Sequence, residues 1–320
     1  MIKVTYRLLI EGPNDEDITL GLARDAKRNL PDGRFCIKDC IFYGYNWDDE
    51  RVKLYLDVFL PSSTSEENIS AESGQKAWDA ITIFSFLYGY RVITDYPFPI
   101  KIEKEATPFH IAVKSKNANI NKIHRFLGGI EKQLNLETGK KRNSLEKVYF
   151  TSMTFYVRHL DALYAELYEE ALLNIYKIFE LLCRDYYNKA HLARKVKDAF
   201  KASFITFLQE AYNEKYDQNR HSQLIKKIED VTLLESLKDS RKIIIVATEL
   251  NFKQTELDTL TKLCKLRNSI AHGNTEDVDA IFDLVSAGSI LARKMLAKLV
   301  LNDTYSNTYP FAKINHYSQT

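Results

Sequence analysis

The spacing of hydrophobic positions changes near residue 140. Residues 2–10, 34–45, 51–60, 91–104 and 107–115 are short runs rich in Val, Ile, Tyr and Phe, separated by Gly12-Pro13, Pro31-Asp32-Gly33 and Pro61-Ser62-Ser63. Such runs with such punctuation predict strands of a sheet. One helical stretch, about Ser70 to Tyr88, interrupts them and is placed against one face of that sheet. Residues 117–139 read as a short helix and linker, ending in the basic turn Thr138-Gly139-Lys140-Lys141-Arg142. Beyond it the apolar period is helical. Over 162–188, Leu163, Leu167, Ala171, Ile175, Ile178 and Leu182 recur at spacings of three and four, opposite Glu166, Glu169, Glu170, Lys177 and Arg184. That is an amphipathic core helix.

Two further helices are predicted over 254–272, stopped by Gly273, and over 276–301. In the latter, Thr275 is the N-cap, Glu276 and Asp277 occupy the first turn, and Lys294 and Lys298 lie near the end, an arrangement that suits the helix dipole. Its Ser286-Ala287-Gly288-Ser289 stretch is small enough for another helix to approach closely. Weaker helical patterns fill 143–160, 192–213 and 221–249. The fold class is therefore an α+β N-terminal domain, residues 1–139, followed by an all-α bundle of five or six helices, residues 140–301, and an irregular tail, 302–320.

Glycine and proline sharpen that division. Nine of 11 glycines and six of 7 prolines fall within residues 1–139, and 140–272 contain neither. At 320 residues and 45% hydrophobic, the chain can bury one large core or two medium ones. Net charge is only +2; the front part holds 18 Lys+Arg against 20 Asp+Glu and the remainder 27 against 23, a balance that tolerates RNA without predicting it. Cys36, Cys40, Cys183 and Cys264 contain no C-x-x-C pair, and the charged start Met1-Ile2-Lys3-Val4 is strand-like, so the expectation is reduced thiols in a cytoplasmic protein. The most apolar stretch, Trp78 to Tyr90, is too short to cross a bilayer and predicts no membrane contact.

One helix departs from its own pattern. Projecting 256–272 at about 100° per residue gathers Leu257, Leu260, Leu263, Cys264, Leu266, Ile270 and Ala271 on one arc, with Arg267 near its middle. A lone guanidinium does not belong on a core stripe. Either it is paired inside the bundle, for example with Glu180, or that face opens onto an interface or cleft that holds an anion. Asn268 and His272, four residues apart, lie on the flank of the same arc.

The segment Leu263-Cys264-Lys265-Leu266-Arg267-Asn268-Ser269-Ile270-Ala271-His272-Gly273 resembles the R-x4-6-H signature of the HEPN superfamily. Its wording is closest to the ApeA-like HEPN domains of prokaryotic antiviral defence, over about residues 145–301. The resemblance implies a metal-independent, cofactor-free endoribonuclease that acts as a homodimer through the motif helix, with two motifs facing one composite cleft, in abortive infection or toxin-like RNA degradation. In that reading His272 is the acid/base, since imidazole ordinarily titrates near pH 6.5. Arg267 clamps the scissile phosphate and Asn268 orients it. Attack by the ribose 2′-OH needs no metal. Glu180 stands where such bundles often carry a supporting polar residue.

Lys262 and Lys265, on the polar side of the motif helix, are candidate phosphate contacts, as is the stripe Arg194, Lys195, Lys197 and Lys201 with Phe200 and Phe204 nearby. The front domain would sense a trigger, a small ligand or a phage protein. An alternative of another class is a non-catalytic module that binds RNA, a nucleotide or a protein partner, with Arg267 as anion hook; blander still, His272 interacts only with its own helix end. No Gly-rich phosphate loop, G-x-S-x-G or H-E-x-x-H occurs. The seven histidines are scattered, Cys36 and Cys40 have no nearby His pair for zinc, and Asp15 and Asp17 lack the Gly-Ser that precedes a nucleotidyltransferase carboxylate pair, so no metal is predicted.

Overall fold

The computed structural model describes residues 1–11, 35–37, 39–48, 51–94, 98–107, 144–213, 217, 219, 221–223, 226, 238–273 and 278–301. The front part is an antiparallel sheet of β1 (Ile2–Glu11), β2 (Phe35–Ile37), β3 (Cys40–Asp48), β4 (Arg51–Leu60), β5 (Arg91–Thr94) and β6 (Lys101–Glu103). Its order is β2-β3-β4-β1-β5, and β6 pairs with the same strand β1 as β5 does, nearer its N-terminal end. Two predicted runs therefore divide. The run 34–45 contains two paired strands, β2 and the start of β3, in which Ile37 pairs with Cys40. The run 91–104 breaks between β5 and β6, where Pro97 and Pro99 have no N–H to give the ladder. The strand read at 107–115 and the helix at 117–139 lie outside the described residues, apart from Thr107.

Period-two burial sets the faces. Ile2, Val4, Tyr6, Leu8 and Ile10 of β1 and Leu54, Leu56, Val58 and Leu60 of β4 point to one side, which α1 (Glu66–Tyr88) covers. Phe42 stacks on Phe84 with ring centroids 4.7 Å apart, and the Tyr6 and Ser73 hydroxyls share a hydrogen bond of 2.7 Å.

The helical part contains α2 (Ser144–Tyr164), α3 (Tyr168–Lys189), α4 (Leu192–Tyr212), α5 (Asp239–Glu249), α6 (Gln254–Ala271) and α7 (Val278–Leu301). The helix expected over 162–188 is two elements. Leu163 belongs to α2, the chain reverses at Glu166 with φ 58°, and Leu167 is 53% exposed in the turn. The three-four spacing ran through the corner because both helices face the same core. From Ala171 to Leu182 the predicted stripe is buried as read, and α3 is the central helix, touching α2, α4, α5, α6 and α7. Thr275, Glu276 and Asp277 lie outside the described residues. Lys294 and Lys298 do more than suit a dipole: Lys294 pairs with Glu256, Lys298 donates to the Leu250 carbonyl, and both sit over the Phe252 ring, tying α7 to the corner between α5 and α6.

One hydrophobic core runs from the sheet through α1 into the bundle. Phe86 of α1 meets Tyr156 of α2 edge-on at 5.5 Å, and the Tyr156 hydroxyl shares a 3.0 Å hydrogen bond with Ser289 of α7. The small stretch of α7 does admit close approach. A Cβ on Gly288 would lie 2.5 Å from Leu263 Cδ1 and 3.2 Å from Ile175 Cγ2, and both neighbours are fully buried. Gly288→Ala is therefore expected to cost about 1–3 kcal/mol by overpacking, read as a lowered urea midpoint at constant m. An unchanged midpoint would show that α3, α6 and α7 pack less closely than described. No helix among the described residues is long and apolar enough to cross a membrane.

Candidate functional site

The site is built on α6. Glu256 Oε2 accepts the Lys253 backbone N–H at 2.7 Å and starts the helix, while Leu260, Leu263 and Cys264 anchor it in the core. Arg267 continues that buried face. Its Cζ lies 4.9 Å from the centroid of the Tyr176 ring on α3, Nη1 donates to Asn268 Oδ1 at 3.3 Å, and Nε is buried without a hydrogen-bond partner. The carboxylate partner weighed from sequence is engaged elsewhere: Glu180 accepts from Lys177 at 2.9 Å and Arg184 at 2.6 Å. Among the described residues no carboxylate pairs with Arg267, so its charge rests on a π face and one amide oxygen.

His272 is the C-cap of α6, with φ −93° and its N–H donating to the Asn268 carbonyl at 3.1 Å. Gly273 follows in the left-handed conformation, φ 78°, and donates to the Ile270 carbonyl at 2.9 Å, closing the helix as the sequence predicted. The His272 side chain is exposed and makes no hydrogen bond among the described residues. Asn268 is exposed as well. Five residues separate Arg267 from His272, about 140° round the helix. The guanidinium leans on Tyr176 while the imidazole stands in solvent, and Asn268 lies between them.

Tyr176 is the residue that sequence reading passed over. In the sequence it is one more aromatic beside Ile175 on a core stripe, and only the packing of α3 on α6 sets it under Arg267. Burial, assisted by the neighbouring Cys264 thiol and opposed by Arg267, pushes its hydroxyl up to about 12. Burial likewise pushes the Cys264 thiol up to about 11, with Arg267 offsetting part of the rise. A thiol held that high is a poor nucleophile. Among the described residues no three His, Cys, Asp or Glu side chains gather in a way that could hold a metal ion.

Comparison with known proteins returned no family model, no curated protein and no solved structure that matches the chain.

The two sets of candidate phosphate contacts differ. On α4, Arg194 faces Asp198 at 4.0 Å and Lys195 pairs with Glu249 of α5 at 2.7 Å, so acids already offset half of the stripe. Lys201 is half-buried, Phe200 is 45% exposed, and the Lys197 side chain lies outside the described residues. On α6, Lys262 and Lys265 are exposed and line an open groove of about 690 Å³ between α6 and α7, together with Leu266, Asp283, Leu284 and Ala287. In the front part, Asp57 Oδ1 accepts hydrogen bonds from the Thr5 hydroxyl at 2.6 Å and from the Tyr43 hydroxyl at 3.0 Å, on the sheet face away from α1. A smaller hollow there, about 330 Å³, is lined by Lys3, Tyr43, Asp57 and Glu103.

Proposed function

We propose that the chain is a metal-independent endoribonuclease of HEPN type, whose α6 helices pair in a homodimer and whose front sheet domain senses a trigger or restrains the nuclease, as in abortive infection. The observation that carries this reading is Arg267: a cation on the apolar face of α6, with a buried, unpartnered Nε, five residues before an exposed His272. Such a local conflict with folding rules is characteristic of functional sites. Arg267 and His272 lie on different sides of their helix, so one chain does not readily present both to one phosphate. Two antiparallel copies of α6 bring the Arg267 of one chain toward the His272 of the other. Leu173 on α3, one turn before Tyr176, is 40% exposed and supplies apolar area for such a seam.

In the reaction, one imidazole takes the proton from the ribose 2′-OH, the 2′-oxygen attacks the adjacent phosphorus, and the P–O5′ bond breaks as a second, protonated imidazole in the composite cleft gives its proton to the leaving 5′-oxygen. The guanidinium offsets charge on the phosphate as it forms, and Asn268 holds the guanidinium by the bond seen here. The products are a 2′,3′-cyclic phosphate and a 5′-OH.

The test is incubation of purified protein with total RNA or tRNA in EDTA, beside Arg267→Ala and His272→Ala. Cleavage by wild type leaving cyclic-phosphate ends, and lost in both variants, is expected. Equal cleavage by all three sinks the assignment. Tight RNA binding without cleavage, lost in Arg267→Ala alone, selects a non-catalytic binding module instead, for which the unpartnered Nε is the anion hook. Sedimentation as a concentration-independent monomer removes the homodimer and with it the composite cleft.

A further inference from the structure

We propose that the groove between α6 and α7 is the path by which a single RNA strand reaches His272, with its phosphates on the α6 wall and its bases against α7. The proposal rests on the RNA-handling half of the reading above, and cleavage is scored separately.

Lys262, Lys265, Ser269 and His272 fall within about 80° of one another on α6, so they form one stripe about 15 Å long. The first three line the groove, and the stripe continues to the imidazole. Among the described residues neither lysine makes an ion pair, so both ammonium groups are free to meet phosphates, unlike Arg194 and Lys195. The α7 wall is of another character: Ala280, Leu284 and Ala287 leave flat apolar surface, and Asp283 supplies a carboxylate with no cationic partner among the described residues. That acid repels phosphates and accepts hydrogen bonds from exocyclic base amines. The two walls therefore orient a strand, backbone to α6 and bases to α7. A duplex, with phosphates on both edges, fits this asymmetry poorly.

The experiment is a fluorescence anisotropy titration in EDTA of the full chain with short fluorescein-labelled 2′-O-methyl oligonucleotides, which lack the attacking hydroxyl, over a series of KCl concentrations. Lys262→Ala and Lys265→Ala are each expected to weaken binding and to reduce the slope of log affinity against log salt by about 0.7, the value for one phosphate contact on a single strand. Arg194→Ala is expected to leave the slope unchanged. Asp283→Asn is expected to tighten binding and to weaken any preference for amine-bearing bases over uridine. This pattern supports the groove whether or not wild type cleaves natural RNA. Lysine variants with wild-type affinity and slope overturn it even if wild type proves to be a nuclease, as does a wild type that binds no RNA at low salt. If the lysine variants change the sedimentation coefficient and not RNA binding, the groove is a protein contact and the proposal fails.

Discussion

Arg267→Met is expected to lose RNA cleavage by about two to three orders of magnitude while unfolding at the same urea concentration as wild type or a higher one. The loss is what removal of one charge-stabilising donor from a transition state costs. The unchanged or raised stability follows from the surroundings of the guanidinium. Nε is buried without a partner, a condition that costs about 1–3 kcal/mol, and no ion pair is broken when the charge goes. Methionine keeps an unbranched stem to lie against Tyr176 and brings no unsatisfied donor. Arg267→Lys separates charge from geometry, because an ammonium retains the charge and loses the fork. A Met variant that cleaves RNA as wild type does would remove Arg267 from the reaction, and one several kcal/mol less stable would show that the guanidinium serves the fold. The comparison matters because alanine at this position also removes the contact with Tyr176, so loss of activity in Arg267→Ala alone does not separate the two roles.

Acidification is expected to destabilise the bundle by about 3 kcal/mol between pH 6.5 and pH 4, through one side chain. His159 is fully buried on α2, its Nδ1–H donating to the Ala171 carbonyl at 3.1 Å and its Nε2 without a partner. Burial lowers its pKa from 6.5 to about 4, the bond to Ala171 opposing only in part. Between those values the unfolded chain binds a proton that the folded chain refuses, so stability falls as pH drops through the window and levels off below pH 4. About 2.5 pH units at 1.36 kcal/mol each gives the size of the effect. Urea unfolding of wild type and His159→Phe across this range checks it. The variant is expected to lose that share of the slope, and an identical slope in both proteins would rule His159 out as its source. His159 is fully buried and His272 is exposed, so the two histidines are separable by experiment.

The legible parts of the fold were those where a local period and a local face coincide. The alternation in β1 and β4 marked the core side residue by residue, and the run from Ala171 to Leu182 marked α3. The illegible parts were corners. Leu163 and Leu167 continue the three-four spacing of α3 across a chain reversal, because a helical hairpin wrapped on one core keeps the same apolar phase on both arms until Glu166 turns left-handed. The hairpin inside 34–45 is marked in the sequence only by the charged pair Lys38-Asp39, without glycine or proline, and the pairing of Ile37 with Cys40 reveals two strands.

The candidate site divides in the same way. Arg267, Asn268 and His272 stood out in the sequence because a guanidinium on an apolar arc and a glycine immediately after a histidine are local violations and local stop signals, both readable from periodicity. Glu180, which the resemblance implies as a supporting residue, closes its carboxylate with Lys177 and Arg184 on its own helix, and Arg184 also reaches Asp239 of α5. In the α4 stripe, Lys195 pairs with Glu249, 54 residues further along the chain, a partner that periodicity does not show.

By itself the sequence determined the main buried faces and the position of the one polar cluster set against its helix, because each depends on residues within a turn or two of one another, whereas the corners that divide one element from the next did not show. The tertiary structure alone decided which cations are spent. It set Tyr176 and not a carboxylate beside Arg267, gave Lys195 an acid, and left Lys262 and Lys265 along an open groove. The physical reason is that periodicity fixes the direction of a side chain from its own helix, whereas the partner it meets there depends on how distant helices pack, and Coulombic and π contacts act only across those few ångströms.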